Sequence, residues 1–417
     1  MGCTRLKLTR IAAVGICVSA VLPLTLIAQQ VRITGAIDNS RRIVLRGSRN
    51  PKAEPKYDQG PVDANQRIVG VTLAFKPSAS QQAALEQLLR EQQDPASPHY
   101  QKWLSSEEYA DRFGLSPDDI TAVTTWLQSE GLRVDYAARS RMWLALSGTA
   151  GQLQSAFKVE IHRYQIDGET HYANATDPAI PVALETVILL IRGLDDFRLE
   201  SRRRRLTPKE TYNNGGHALA PGDLATVYNI RPLYQQGITG SGQKMVVVGE
   251  TSVSLSDIEL FRSQYGLPKN DPQLIQAEGY PDPGTVQSEL NEANLDLDWA
   301  GAIAPNASIL YVYSTRAFDA AQFAIDNYDA SVISMSYAAC EPQISADPDV
   351  SSSSVALFWQ GQAQAAVLKG ITWVASSGDT GAAGCEVSGS KSATTGLAVN
   401  LPASIPEVTG VGGTEFN

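Results

Sequence analysis

Short apolar runs alternate with helix-patterned segments through residues 244–377. Each run is continuously apolar, which is typical of a strand buried on both faces, and the intervening segments have the 3.6-residue period of helices. The strand-like runs are Lys244–Glu250, Ser308–Tyr313, Ala330–Tyr337 and Ile371–Ser377. The pattern predicts a doubly wound parallel sheet with helices on both faces. Chemistry in such sheets lies beyond the carboxyl ends of the strands, where Glu250, Tyr337 and Asp379 fall.

Residues 67–199 have a different pattern, in which helices alternate with strands of antiparallel type. The segment Arg67–Phe75 is strand-like, and the helix Ser116–Glu130 opens with a serine cap followed by proline and two aspartates and stops at Gly131. Further strands are expected near 133–138, 142–147 and 160–165, and further helices around Leu85 and over 150–157. This alternation predicts a small α+β domain.

The remaining segments set the domain boundaries. Residues 29–66 are polar and have no clear period, so they are predicted to form a flexible lead-in. Residues 200–222 contain Arg202–Arg205 and a glycine-rich stretch, which is typical of an exposed linker that proteases can cut. The alternative is a linker that is never processed. The second folded part then covers residues 223–417.

The first 28 residues have the pattern of a secretory signal. Arg5, Lys7 and Arg10 form a basic start, and the apolar run Ile11–Ala28 that follows is interrupted by Pro23. This pattern predicts cleavage near residue 29 and a secreted location, extracellular or periplasmic, with no membrane contact after signal removal. The alternative is a single membrane anchor, for which 18 residues with an internal proline are marginal.

The four cysteines fall into two pairs, one inside the predicted signal and one in the second folded part. Cys3 and Cys17 would leave with the signal, whereas Cys340 and Cys385 each follow a predicted strand. Export permits a disulfide between the second pair, and two free thiols are the alternative. No cysteine spacing of the zinc type occurs.

Charge and histidine content narrow the chemistry of the second part. Residues 218–417 hold seven basic and 21 acidic residues, a net charge of −14, whereas the whole chain carries −10. This acidity argues against nucleic-acid binding, although a merely soluble acidic surface would give the same count. The last histidine is His217, after His99, His162 and His171. A general base in the second part must therefore be a carboxylate.

Glu292 and Asp296 are the best candidates for that chemistry. They lie on a helix predicted from Ser288 to Pro305, and their positions four residues apart place them about 40° apart around its axis. Asp298 lies roughly 200° further round and cannot join them. Two like charges at this spacing disfavour a helix unless they share a proton or a third group. The alternative is that both acids simply lie on a solvent-exposed face of the helix and have no catalytic role.

Several ordered motifs now indicate a family. The string Glu292–Pro305 resembles the catalytic-helix motif of the sedolisins, the serine-carboxyl peptidases, and Val332–Tyr337 and Ser376–Gly381 continue the resemblance in the family's order. The first domain resembles the pro-kumamolisin activation domain. Its motifs are Asp94–Tyr100, Tyr109–Gly114, Val123–Leu127 and His171–Pro178. Together the motifs cover about residues 65–200 and 218–417.

The resemblance implies a fold and a set of roles. The fold would be a subtilisin-like doubly wound parallel sheet, incomplete at its C-terminus, preceded by a ferredoxin-like α+β prodomain. Glu292 would be the general base for a serine nucleophile, Asp296 would orient it, and protonated Asp379 would donate a hydrogen bond to the oxyanion. Glu250 would supply an outer acid of this relay. This chain departs from that relay at Tyr337, where family members with the outer acid have tryptophan.

The family's nucleophile and calcium ligands lie further along the chain than any residue here. The nearest match to its Gly-Thr-Ser motif is Gly413-Thr414-Glu415, so the expected serine and metal site are absent from these 417 residues. The sequence is therefore expected to be an incomplete record of an acid-active endopeptidase precursor, with protein or peptide substrates and its own propeptide as inhibitor. The alternative is a non-catalytic pseudoenzyme or protein-binding module. A subtilisin relative that relies on imidazole is a weaker third hypothesis, since residues 218–417 contain no histidine.

Overall fold

The computed structural model describes residues 29–198, 219–341, 354–386, 392–394 and 396–414. They form an N-terminal domain, residues 29–198, and a C-terminal domain that starts at residue 219. The elements of the N-terminal domain are β1 (Arg42–Val44), β2 (Asp58–Pro61), β3 (Arg67–Phe75), α1 (Ala79–Gln93), α2 (Ser106–Phe113), α3 (Pro117–Ser129), β4 (Arg133–Ala137), β5 (Trp143–Thr149), α4 (Ala150–Phe157), β6 (Ile161–Ile166), β7 (Glu169–Asn174), β8 (Ala179–Pro181) and β9 (Ile188–Arg192).

The C-terminal domain alternates strands and helices. Its elements are α5 (Pro221–Val227), α6 (Arg231–Gln235), β10 (Lys244–Gly249), α7 (Leu255–Gln264), β11 (Gln273–Gln276), α8 (Leu290–Ile303), β12 (Ser308–Tyr313), α9 (Ala317–Asn327), β13 (Val332–Met335), β14 (Ala339–Cys340), α10 (Ser354–Leu368), β15 (Thr372–Ser376), β16 (Asn400–Leu401) and β17 (Thr409–Val411).

The N-terminal domain is the predicted α+β structure. Its main sheet has the antiparallel order β4-β5-β3-β9, and smaller sheets pair β1 with β8 and join β2, β6 and β7. Helices α3 and α4 cover one face of the main sheet, where Val123, Leu127 and Leu153 pack against Val71 and Leu146. The predicted strand at 67–75 and helix at 150–157 are confirmed to the residue.

The predicted flexible lead-in over residues 29–66 is wrong for the described structure. Strand β1 pairs with β8, strand β2 pairs with β6, and Ile33, Ala53 and Val62 are buried. The segment lacks a helical or strand period because it winds over the domain surface and is held by contacts distant in sequence. Periodicity detects one continuous buried face, and this segment has none.

The C-terminal domain is built on the predicted parallel sheet. Strand order is β11-β12-β10-β13-β15-β17, and each neighbouring pair in this sheet is parallel. Along β10 the side chains alternate, so that Val247 packs towards α7 and α8 while Val246 and Val248 face α9 and α10. Helices therefore cover both faces, and the α/β architecture expected from the sequence is confirmed.

The two domains share one apolar core. A single cluster of buried side chains runs from the N-terminal sheet, with Trp143 and Leu190, across α9 and α10, with Phe323 and Trp359, to β13 and β15. Helix α9 is buried from Ala317 to Asp326 because the C-terminal sheet lies on one side and the N-terminal domain on the other. A helix covered all round is the expected result of such a sandwich.

Some expectations fall where the structure gives no description. The signal segment 1–28 and the basic run Arg202–Arg205 lie outside the described residues. Helix α5 begins at Pro221, so the linker predicted over 200–222 ends earlier than expected, because the proline starts the helix at its first turn. Within the described ranges, none of the helices has the length and apolar character needed to cross a bilayer.

Candidate active site

Helix α8 carries the two acids singled out from the sequence. Ala293 and Leu297 pack against Val247 of the sheet, which fixes the rotation of the helix. Glu292 is buried and Asp296 is half-buried, one turn further along on the same side. The helix begins one residue later than predicted. Its N-cap is Glu289 rather than the expected Ser288, because the chain makes a turn before the first helical residue.

A direct contact ties this helix to the sheet edge. The Ser336 hydroxyl donates a hydrogen bond of 2.8 Å to Oδ1 of Asp296. Ser336 follows β13, so the contact places Asp296 beside the carboxyl end of a central strand. Sequence reasoning assigned no role to Ser336, although a small polar residue directly after a buried strand was a signal that could have found it.

Glu250 occupies the same edge, directly after β10. It is fully buried, and its Oε1 accepts a 2.7 Å hydrogen bond from the backbone N–H of Ala317, the first residue of α9. Burial raises the pKa of Glu250 to about 8; the Ala317 N–H acts against this rise and the nearby charge of Glu289 adds to it. Glu250 therefore holds its proton at acid and neutral pH.

Two tyrosines complete the buried surroundings of Glu250. The Tyr311 hydroxyl donates to the carbonyl oxygen of Thr251 at 2.8 Å. The Tyr337 hydroxyl is buried and has no hydrogen-bond partner within the described residues. Burial raises the pKa of Tyr337, and the neighbouring Tyr311 and Glu250 raise it further. Tyr337 thus lies next to Glu250, where the resemblance places a tryptophan.

Asp379 lies in the turn after β15. Its side chain is exposed at the carboxyl edge of the sheet. The chain leaves the sheet at Ser376 and bends outward through Gly378, which has a φ of 95°. The side-chain amide of Asn400 donates to the Ser377 carbonyl at 3.0 Å and closes the inner side of this turn. The turn directs Asp379 away from the core.

Sheet order explains how these groups come to one edge. Strands β10, β13 and β15 are adjacent and parallel, so their carboxyl ends are neighbours. Glu250, Ser336 and Asp379 follow these three strands in turn, and Asp296 reaches the edge through Ser336. Asp298, on the other side of α8, belongs to a different environment. Burial and then Asp257 raise its pKa to about 7, with Arg262 acting against the rise.

A disulfide borders the site. Cys340 and Cys385 are bonded with their Cα atoms 5.0 Å apart. The bond joins β14, which pairs with β16, to the segment that follows Asp379. It therefore limits the movement of the loops on either side of the turn that carries Asp379.

The resemblance also implies calcium, and the described residues offer no place for it. Within the described ranges, no group of three or more acidic, histidine or cysteine side chains is close enough to hold a metal ion. A calcium site requires six to eight oxygen ligands. The residues of this structure do not fit the ion, and none of the chemistry below involves it.

Sequence comparison finds relatives that cover both domains. Residues 56–197 match the sequence model of the pro-kumamolisin activation domain. Kumamolisin from Bacillus sp. (strain MN-32) is 26% identical over 398 residues, which cover 91% of this chain and 68% of that protein. Sedolisin from Pseudomonas sp. (strain 101) is 25% identical over 350 residues, which cover 80% and 58%. Tripeptidyl-peptidase 1 from Rattus norvegicus is 28% identical over 376 residues, which cover 86% and 63%.

A solved structure also matches part of the chain. It is Pseudomonas sedolisin, a serine-carboxyl proteinase, complexed with two molecules of pseudo-iodotyrostatin. The match has 25% identity and a TM-score of 0.36, and it covers 42% of this chain and 48% of that one. The chain spans between 58% and 68% of the length of the three curated relatives above.

The fold and the site define a two-part chain, an α+β domain packed on a parallel α/β domain with two neighbouring acids on the helix at its carboxyl edge. Residues 56–197 are similar to the pro-kumamolisin activation domain, and the chain as a whole is similar to kumamolisin and sedolisin. From here on the N-terminal domain is called the activation domain and the C-terminal domain the peptidase half.

Proposed function

We propose that this chain is the precursor part of a secreted, acid-active serine-carboxyl endopeptidase, held inactive by its activation domain. The observation that carries the proposal is the pairing of buried Glu292 with Asp296, which Ser336 holds at the edge where the central strands end. The C-terminal domain has no histidine, so a carboxylate at that edge takes the role of general base. The nucleophilic serine belongs to a segment that the family carries beyond the position of Asn417.

The proposed roles follow from protonation. Glu292 takes the proton of the serine hydroxyl as that oxygen attacks the peptide carbonyl, and Asp296 orients Glu292. Asp379, protonated, donates a hydrogen bond to the oxyanion that forms. These roles require an ionised base beside a protonated donor, a combination of carboxyl groups that only acid solution allows. The buried, protonated Glu250 adds a neutral neighbour that does not repel Asp296.

Contacts between the domains support an inhibitory role for the activation domain. Asp326 is buried at the end of α9, where its carboxylate accepts hydrogen bonds from the backbone N–H groups of Arg139 at 2.7 Å and Ser140 at 2.8 Å. Tyr280 of the peptidase half hydrogen-bonds to Thr72 of the activation domain at 3.0 Å. Because these hydrogen bonds are buried, they fix how the surfaces of the two domains align.

An ion-pair group forms a second interdomain contact. Arg192 of the activation domain pairs with Asp319, which is fully buried in α9. Arg316 of the peptidase half binds the same carboxylate at 2.9 Å and donates to the Gly70 carbonyl at 3.1 Å. Removing one member of a buried charge group leaves its partner unsatisfied, which strongly opposes separation. The activation domain is therefore proposed to stay bound until acid or proteolysis weakens these contacts.

The decisive experiment uses a protein extended to include the serine segment. Peptide cleavage should be maximal well below pH 6, and Glu292→Ala or Asp379→Ala should each lower kcat by about 100-fold or more. Asp298→Ala is the matched control on the same helix and should retain activity. A pH optimum above 7, or full activity in Glu292→Ala, would overturn the assignment. Binding of denatured protein without any cleavage would support the non-catalytic module instead.

A further inference from the structure

Residues 29–55 lie ahead of the matched activation domain, which begins at residue 56. They are called the N-terminal strap below. The strap follows the surface of the activation domain, and strand β1 within it adds to β8. Its long-range hydrogen bonds reach residues 44 to 145 positions away, so the strap is held by tertiary contacts rather than by its own secondary structure.

The first anchor of the strap is a buried carboxylate. Asp119, in the first turn of α3, is fully buried. Its Oδ1 accepts hydrogen bonds from the backbone N–H groups of Ile33 at 2.8 Å and Arg32 at 3.0 Å. Its Oδ2 accepts from the Ser116 hydroxyl at 2.8 Å. The strap thus supplies the two backbone donors that satisfy a buried charge, and such charge-assisted bonds are strong.

Side chains of the strap reinforce this anchor on both sides. The Gln29 amide donates to the carbonyl oxygens of Ala110 at 2.6 Å and Gly114 at 2.9 Å, and it accepts from the Arg141 guanidinium at 3.0 Å. The Arg32 guanidinium donates to the Lys76 carbonyl at 2.7 Å. The surface around Asp119 therefore offers a carboxylate and several carbonyl oxygens to one extended peptide.

The far end of the strap reaches the other domain. The Asn50 amide donates to Asp195 at 3.2 Å, and the Asp195 carbonyl accepts from Arg316 of the peptidase half at 3.4 Å. Arg49 and Asn50 also line a cavity of about 140 Å³ between the domains, together with Ala339 and Leu401. The strap therefore contacts both the helix cap at Asp119 and the interdomain boundary.

We propose that the surface around Asp119 is a peptide-binding site for the strap, and that strap binding there strengthens the binding of the activation domain to the peptidase half. This deepens the proposed inhibitory function by adding a segment outside the matched domain. Detachment of the strap, by a cut in its exposed part over residues 35–41, would then be a step that loosens the precursor.

Amide hydrogen exchange on the full chain tests the anchor. Asp119→Asn replaces one carboxylate oxygen with a donor that cannot accept, so exchange at residues 30–34 should rise at least about ten-fold. Asp118→Asn is the matched control, because it removes the same charge from the same helix turn at an exposed position. Equal exchange at residues 30–34 in the two variants would overturn the proposed binding site.

The link to the other domain has its own readout. In Asp119→Asn the amides of residues 138–141, which include those that bind Asp326, should also exchange faster. Unchanged protection there, with a loosened strap, would overturn the coupling. Asn50→Ala keeps the Asp119 anchor, so it tests the far end even if Asp119→Asn fails to fold. It should raise exchange at residues 193–197 while residues 30–34 stay protected, and no change at 193–197 would count against the proposal. These rates are measured without turnover, so failure of the proposed peptidase activity would not alter them.

Discussion

Glu250 shows how strongly a single buried acid can couple stability to pH. Its pKa in the folded protein is about 8 against an ordinary value of 4.5, and burial is the main cause. Below pH 4.5 both the folded and unfolded chains hold this proton. Between pH 4.5 and 8 only the unfolded chain releases it, so the free energy of unfolding falls as pH rises through this window.

Glu250→Gln should remove that pH dependence. The amide oxygen can still accept from the Ala317 N–H, and the variant never carries the buried charge. Relative to wild type, the variant should gain nothing near pH 4 and on the order of 3 kcal/mol near pH 7. Urea unfolding at a series of pH values measures the difference. Glu278→Gln, at an exposed position, is the control and should show no such gain. A variant less stable than wild type at pH 7 would contradict the buried protonated state.

Ser336 should matter for catalysis through Asp296 alone. Ser336→Ala removes the 2.8 Å hydrogen bond to Asp296 and should lower kcat of the extended protein about ten-fold, with little change in KM. The pH at which the acid limb of the activity profile bends should rise, because a hydrogen bond to the ionised form is lost. Ser336→Thr keeps the hydroxyl and should recover most of the activity. A loss that threonine does not recover would indicate a packing role instead.

Local signals predicted those elements that depend on local contacts. Helix α3 was found from Ser116, and the structure shows that cap: the Asp119 N–H donates to the Ser116 hydroxyl at 3.1 Å. The strap was predicted as flexible because its bonds go to residues far along the chain. Strand β9 was also missed, since its partner β3 lies more than 100 residues earlier. The two acids of α8 were found by spacing, whereas the role of Ser336 follows from its contact with Asp296, 40 residues earlier in the chain.

The Ser116 cap of α3 should contribute more to the free energy of unfolding than an isolated helix cap does. The Ser116 hydroxyl accepts from the Asp119 N–H and donates to the Asp119 carboxylate, which in turn holds the strap. Ser116→Ala should therefore lower the free energy of unfolding by about 2 kcal/mol, the upper end for a cap, because a buried charged acceptor also loses a donor. Thermal unfolding measures this. Thr121→Ala, on the exposed side of the same helix, should change stability by less than about 0.5 kcal/mol.

Across the whole molecule, negative net charge is concentrated in the peptidase half. Residues 218–417 carry −14 while the whole chain carries −10, so the part before residue 218 carries +4. That +4 comes from the basic residues of segments 1–28 and 199–217, whereas residues 29–198 hold 19 basic and 21 acidic residues. The two folded domains therefore do not carry opposite net charges, and long-range attraction between net charges does not explain their packing. The buried acids at the boundary act at short range, where salt screens them least.

The short-range contribution of a buried acid at the domain boundary can be tested directly at Asp326. Its carboxylate accepts from the Arg139 and Ser140 N–H groups and faces Tyr136 and Lys369, whose ammonium group lies in the same buried pocket. The chain is cut at a site engineered into residues 199–218, and association of the two parts is measured by sedimentation at pH 7. Asp326→Asn should weaken association at pH 7 by about ten-fold or more, since it loses a charged acceptor for two donors.

A matched control separates this role from a general effect of charge at the end of α9. The exposed Asp329→Asn, three residues further on, removes the same charge and should bind as wild type does. If Asp326→Asn and wild type bind equally at pH 7, then Asp326 is not a contact that holds the two domains together.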